Sequence, residues 1–320
     1  MSKAFKIMSL TASVLILAGC IIFGIAMSAL GWDFGKLSTD KYVFSTHYVA
    51  ESYTAISVDG STAAINLIPS EDDTTRVELY DKEEKEYSVF VKSGVLTVEI
   101  ESRPWYADIG INLEDPMINL YIPEGKYTTL TVKTDTGDVI IPESYSFESI
   151  DISADTADVL CSASSDELIK IHTSTGDVKL DGLTAGGIDV TVSTGKIKLT
   201  NVISNGAASF KVSTGDIFLT DFSSKSLAST GSTGDVNLKN VLVEGKMEIE
   251  RTTGDVTLTS SDAESIMIKT DTGDVSGTLL TEKIFSVSTN TGKRDVPNTH
   301  SGGLCEIKTT TGDIKIKLTP

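Results

Sequence analysis

From about residue 130 onward, apolar and polar side chains alternate with period two, and the alternation changes phase at a recurring tripeptide, Thr-Gly-Asp. The central residue of the tripeptide falls at Gly137, Ala157, Gly176, Gly195, Gly215, Gly234, Gly254, Gly273, Gly292 and Gly312, at intervals of 19 or 20 residues. Counting from that residue, position −1 is Thr in all ten copies, and position +1 is Asp in eight, with Lys196 and Lys293 as exceptions. Position −5 is apolar except at Ser229, position +2 is Val or Ile except at Arg294, and position +4 is apolar except at Gly277. Positions −6, −4, −2 and +3 are mostly Lys, Ser, Thr, Asp or Asn.

Alternation of this kind describes a strand with one buried face. A glycine at the change of phase describes a corner, because a residue without Cβ takes backbone angles closed to others. Each unit therefore reads as strand, tight corner, short strand and a variable connection of about seven residues. An apolar residue at +7 (Leu183, Val202, Phe222, Val241, Leu280) is placed to fill the core beneath that connection. Parity places the Thr-x-Thr pairs (Thr134/Thr136, Thr173/Thr175, Thr270/Thr272, Thr289/Thr291, Thr309/Thr311) on the apolar side, pointing inward.

A unit this short cannot bury its own apolar face; stacking equivalent units does so, each strand pairing with its counterpart in the next coil. The predicted fold is all-β: a parallel β-solenoid, or β-helix, of about ten 19–20-residue coils. Cys161 and Cys305 fall at inward positions about seven coils apart, too far for a disulfide, and are expected as separate reduced thiols.

Residues 31–129 are less regular and read as a membrane-proximal linker with degenerate coils that cap the solenoid of residues 130–320. The segment from Ile56 to Leu67 resembles a worn copy of the unit. Strand-like runs follow at 76–80, 88–91, 95–100 and 118–122, and Asp81–Glu86 reads as a solvated acidic turn. Trp105-Tyr106 reads as an aromatic pair packed within the cap. Ahead of this region, Ile7 to Leu30 carries no charge, follows Lys3 and Lys6, and is long enough to span a bilayer as a helix. Residues 1–6 are then cytoplasmic, 7–30 transmembrane and the remainder extracellular, with Trp32 and Phe34 in an interfacial belt. Leu17-Ala18-Gly19-Cys20 also looks like a lipobox, which would make Cys20 a lipid anchor, but the apolar run continues past it and an uncleaved span is preferred.

The 27 basic residues against 45 acidic ones give a net charge of −18, which disfavours nucleic acid as a partner. Three histidines and three cysteines leave little material for metal centres or a disulfide scaffold. A row of Asp at +1 invites a calcium reading, but each coil supplies one carboxylate and two lysines interrupt the row. Corner aspartates accepting backbone N–H groups are the simpler account, and neither metal nor cofactor is expected. The inward parity of the Thr pairs argues against an ice-binding face. No triad or paired-carboxylate constellation stands out, and Phe218 is the main outward aromatic, so no catalytic residue and no enzyme activity are expected.

The repeated Thr-Gly-Asp-Val-x-Leu unit, the span ending Gly31-Trp32-Asp33-Phe34 and the stretch Thr311-Gly312-Asp313-Ile314-Lys315-Ile316 resemble the DUF4097 family of putative adhesins, β-strand-repeat proteins common in Gram-positive bacteria. The resemblance implies a cell-surface, non-catalytic adhesin or interaction scaffold with an unknown macromolecular surface ligand. The alternative it implies is an envelope-stress accessory acting through a membrane partner. A β-helix carbohydrate-active enzyme is the remote alternative.

Overall fold

Apolar residues that recur every 19 or 20 positions can share one core only if the chain returns above itself at that interval. The computed structural model, which describes residues 3–33, 41–100 and 114–319, shows such a stack. Phe34 and Trp105-Tyr106 lie outside the described residues. Helix Lys3–Ala29 runs through Cys20 without a break, and its segment Ile7–Ala29, 23 residues of mean hydropathy 2.4, is long and apolar enough to cross a membrane.

The strands before the corners pair in parallel and in register: Thr156 with Thr175, Thr175 with Thr194, Thr194 with Thr214, and onward to Thr253 with Thr272. The short strands after the corners form a second parallel ladder, in which Val159, Val178, Ile197, Ile217, Val236 and Val256 follow one another. These residues are buried, as are Ile152, Ile171, Val190, Phe210, Ile249 and Ile268 at position −5, in one continuous core. Full burial of each such side chain contributes about 1.5–3 kcal/mol, which offsets the ordering of a unit with little internal contact of its own. Cys161 and Cys305 are both buried and unpaired.

The hydrogen-bonded ladder passes round the corner without a gap. Gly234 N–H donates to the Thr253 carbonyl at 2.9 Å, and Val236 N–H to the Asp255 carbonyl at 2.9 Å. To achieve this Gly234 takes φ +126°, and a Cβ there would lie 2.1 Å from the Gly215 carbonyl oxygen. Both the backbone angle and the approach of the neighbouring coil exclude a side chain.

The bend begins earlier than parity predicts. All ten Thr at −1 are exposed, together with most residues at −2, whereas Thr134, Thr173, Thr270 and Thr309 at −3 are buried. Alternation therefore ends between −3 and −1, and the expectation that both Thr of each pair point inward holds only for the first. A second corner, read in the sequence only as a variable connection, lies at +6. Gly182, Asn201, Asp221, Asn240 and Ser260 all take φ of +49° to +67° there. Glycine, asparagine and aspartate tolerate this left-handed conformation best. At +7, Leu183, Val202, Phe222 and Val241 are buried as expected, but Leu280 is exposed. A register shift between the strands of the Gly254 and Gly273 coils puts Leu279 in its place.

The coils do not stack in chain order at either end. The strand Gly303–Thr311, which leads to Gly312, lies between Val256–Thr272 and Lys283–Thr291. The Gly312 coil is therefore inserted between those of Gly273 and Gly292, correcting the sequential order read from the repeat. At the other end Ala55–Asp59 lies between Val95–Ile100 and Gly125–Thr134, and Ala64–Pro69 likewise pairs with Met117–Ile122 and Val139–Ile141. The worn copy at 56–67 is thus a coil of the stack.

Antiparallel strands form the irregular cap: Tyr42–Val49 on Thr75–Lys82, that strand on Met117–Ile122, and Tyr87–Lys92 on Val95–Ile100. Asp81 is not in a solvated turn. It is buried, with its Oδ2 accepting from Tyr87 Oη at 2.6 Å and Lys85 Nζ at 3.1 Å.

Candidate functional site

The corner residues Gly137, Ala157, Gly176, Gly195, Gly215, Gly234, Gly254, Gly273, Gly312 and Gly292 follow one another in space in that order. They form a spine of close backbone contact and present no functional side chain. Beside them runs the +1 row. Asp138 Oδ1 accepts from Asp158 N–H at 2.9 Å, Asp158 from Asp177 N–H at 2.7 Å, and Asp177 from Lys196 N–H at 2.8 Å. The row resumes with Asp216 to Asp235 N–H at 3.0 Å, Asp235 to Asp255 at 2.9 Å, and Asp255 to Asp274 at 2.7 Å. Asp274 then accepts from Asp313 N–H, and Asp313 from Lys293 N–H, each at 2.7 Å.

Every aspartate of the row thus caps the N–H of the coil stacked on it. Lys293 stands in the last coil, where no further N–H follows and no carboxylate is needed. Lys196 is different, because a coil does follow it and the Asp216 N–H receives no carboxylate from the row. No cluster of three or more His, Cys, Asp or Glu suited to a metal ion occurs among the described residues.

The interruption at Lys196 lies on a groove of about 610 Å³. Its floor is the outward row of the short strands, where register places Ile140, Leu160, Lys179, Lys198 and Phe218 side by side in successive coils. One wall is the Asp138, Asp158, Asp177 and Lys196 segment of the +1 row, and Thr220 closes the far end. Lys179 lies 3.4 Å from Asp181, a solvent-exposed pair worth little. Lys196 and Lys198 are exposed and have no ion-pair partner among the described residues. The groove is thus apolar at the Ile140–Leu160 end, cationic in the middle and aromatic at Phe218, on a chain whose net charge is −18. Sequence reading marked Lys196 as a break in the row and Phe218 as the outward aromatic. Their juxtaposition with Leu160, Lys179 and Lys198 follows only from the register.

A second departure from the repeat lies inside the stack. Arg251 occupies the inward position −3 and is 3% exposed. Its Nη1 donates to the Val212 carbonyl at 3.3 Å and Nη2 to Ser229 Oγ at 3.2 Å, while Nε has no partner among the described residues. Burial holds its pKa down at about 10. A Cβ on Gly231 would lie 1.6 Å from Nη1. Ser229 departs from the apolar pattern at −5, and Gly231 at −3 carries no side chain, which together accommodate this guanidinium.

Fold and groove together define a class: a parallel β-solenoid with threonine-glycine-aspartate corners, displaying its surface along the stack. The Toastrack DUF4097 family model matches residues 53–220 and 206–320, and the chain belongs to that family. No curated protein matches the chain. Among solved structures, a putative adhesin from Parabacteroides merdae is similar at 12% identity and TM-score 0.46, over 87% of this chain and 97% of that one. A putative adhesin from Parabacteroides distasonis is similar at 14% identity and TM-score 0.43, over 87% and 98%. A putative lipid binding protein from the latter organism is similar at 14% identity and TM-score 0.42, over 86% and 97%.

Proposed function

We propose that this protein is a non-catalytic binding scaffold of the cell surface, held at the membrane by residues 7–30 with residues 31–320 outside the cell. In this reading residues 31–129 form the membrane-proximal part and residues 130–320 present the binding surface to a macromolecular surface ligand, as an adhesin does. The observation that carries it is the groove over Lys196, where an otherwise regular surface gives up a corner cap and gains cations without an ion-pair partner among the described residues, beside apolar side chains. The apolar span Ile7–Ala29 of the helix supports anchoring. The alternative, a stress accessory, would use that helix as its contact with a membrane partner.

The test is retention of envelope fragments by full-length protein in liposomes with the solenoid outward. Lys196→Asp should lower retention, whereas Lys315→Asp, on the outward row of the short strands but far from the groove, should not. Equal retention by both variants and by protein-free liposomes would overturn the reading.

A further inference from the structure

We infer that the groove is a site for a single-chain anionic amphiphile: one phosphate or carboxylate headgroup carrying an acyl chain. The inference rests on the scaffold reading and adds the chemistry of its ligand.

The middle of the groove supplies what one anionic group needs. Lys196 and Lys198 bring ammonium groups with no ion-pair partner among the described residues, and Lys179 stands beside Lys198 in the same outward row. The missing carboxylate at position 196 leaves the Asp216 N–H uncapped where all other N–H groups stacked on the row are taken by Asp side chains. The Lys196 and Lys198 ammonium groups are a donor set for an oxyanion, and the Asp216 N–H stands in the next coil along the row, outside the groove's lining.

The charges flanking this centre exclude a polyanion. Along the row Asp138, Asp158 and Asp177 precede Lys196 and Asp216 stands in the coil after it, just beyond the groove's lining, so a polymer with a charge at every repeat would meet carboxylates along most of its length. An extended peptide is disfavoured as well, since the groove lies on a sheet face whose backbone groups are already paired within the ladder. Beside Asp138 and Asp158 the floor is Ile140, 43% exposed, and Leu160. That stretch suits a chain without charge, and the volume lies within the usual range for small-ligand sites. The headgroup sits over Lys196 and Lys198, and the acyl chain runs toward Ile140.

The experiment uses the full chain in phosphatidylcholine nanodiscs and dodecyl phosphate bearing a diazirine on its chain. Photolysis should label peptides containing Ile140 or Leu160, with labelling of the apolar helix by bilayer-dissolved probe as an internal standard. The double variant Lys196→Asp, Lys198→Thr gives this coil residues that equivalent coils already carry, so it should keep the fold, checked by its melting temperature. Groove labelling should fall about tenfold in this variant, equivalent to roughly 1.4 kcal/mol, while helix labelling stays constant. Inorganic phosphate should compete far more weakly than unlabelled dodecyl phosphate, and a dodecyltrimethylammonium probe should not label the groove.

Labelling spread along the solenoid, labelling indifferent to the variant, or equal labelling by the cationic probe would overturn the inference. Competition by inorganic phosphate as effective as by dodecyl phosphate would do so too, showing a bare-anion site. Envelope retention that depends on Lys196 without groove labelling would refute the amphiphile and leave the scaffold reading standing.

Discussion

Asp274 Oδ1 accepts the backbone N–H of Asp313 at 2.7 Å, across 39 residues of sequence, passing over the coil that lies between them in the chain. The skipped coil is the outermost, and its Lys293 N–H is capped by Asp313. The two lysines that interrupt the aspartate row thus have unlike causes. Lys293 ends the stack, whereas Lys196 opens the row where the groove lies.

The aspartate caps carry a measurable share of stability. Asp235→Ala removes the acceptor for Asp255 N–H and should cost about 0.5–1.5 kcal/mol in denaturant unfolding. Relief of repulsion from neighbouring carboxylates places the value toward the lower end at low salt. Lys293→Ala removes no cap and should stay within about ±0.5 kcal/mol.

Much of this fold is legible because one period dictates both the strand alternation and the corner. The inward set at −5 and +2, the glycine spine and the coil at 56–67 follow from that period alone. The order of the end coils does not, since the period is the same whether Gly273 receives Gly292 or Gly312; the signal lay in the departures at Lys293 and Arg294, which mark the Gly292 coil as a terminal one. The outward turn of the −1 threonines was missed because parity was carried through a bend that begins before the glycine. Asn201, Asp221 and Asn240 did carry a signal for the second corner, in their tolerance of positive φ, but they sit among residues that read as an irregular connection. The groove was legible only in fragments, because Leu160, Lys179, Lys198 and Phe218 become neighbours only through register across four coils.

The corner glycine admits no side chain. Gly234→Val forces a β-branched residue into φ +126° with its Cβ 2.1 Å from the Gly215 carbonyl oxygen. The expected loss is about 3 kcal/mol or more. Ser232→Val, at an exposed position of the same strand, should stay within about ±0.5 kcal/mol. Equal stability of the two variants by urea denaturation would mean the corner is misplaced.

Thiol labelling separates the two threonine rows. Thr233→Cys should react with a maleimide in the native protein, while Thr270→Cys, at a position 1% exposed, should react only on unfolding. Native Cys161 and Cys305 should be protected too, since burial removes access and pushes each thiol up to about 12. Rapid native labelling at Cys161 or at position 270, read by intact mass at pH 8, would contradict the inward assignment.

The coils stack corner to corner in the order Gly273, Gly312, Gly292, an order that cysteine cross-linking can read. Thr272, Thr311 and Thr291 are exposed, with Thr311 in register with each of the other two. Adjacent strands lie about 4.8 Å apart, within disulfide reach, and strands two coils apart lie near 9.6 Å, beyond it. Under mild oxidation the double variants Thr272→Cys/Thr311→Cys and Thr291→Cys/Thr311→Cys should each form an intramolecular disulfide, and Thr272→Cys/Thr291→Cys should not. A disulfide between positions 272 and 291 with none between 272 and 311 would show that the coils stack in chain order and contradict the account.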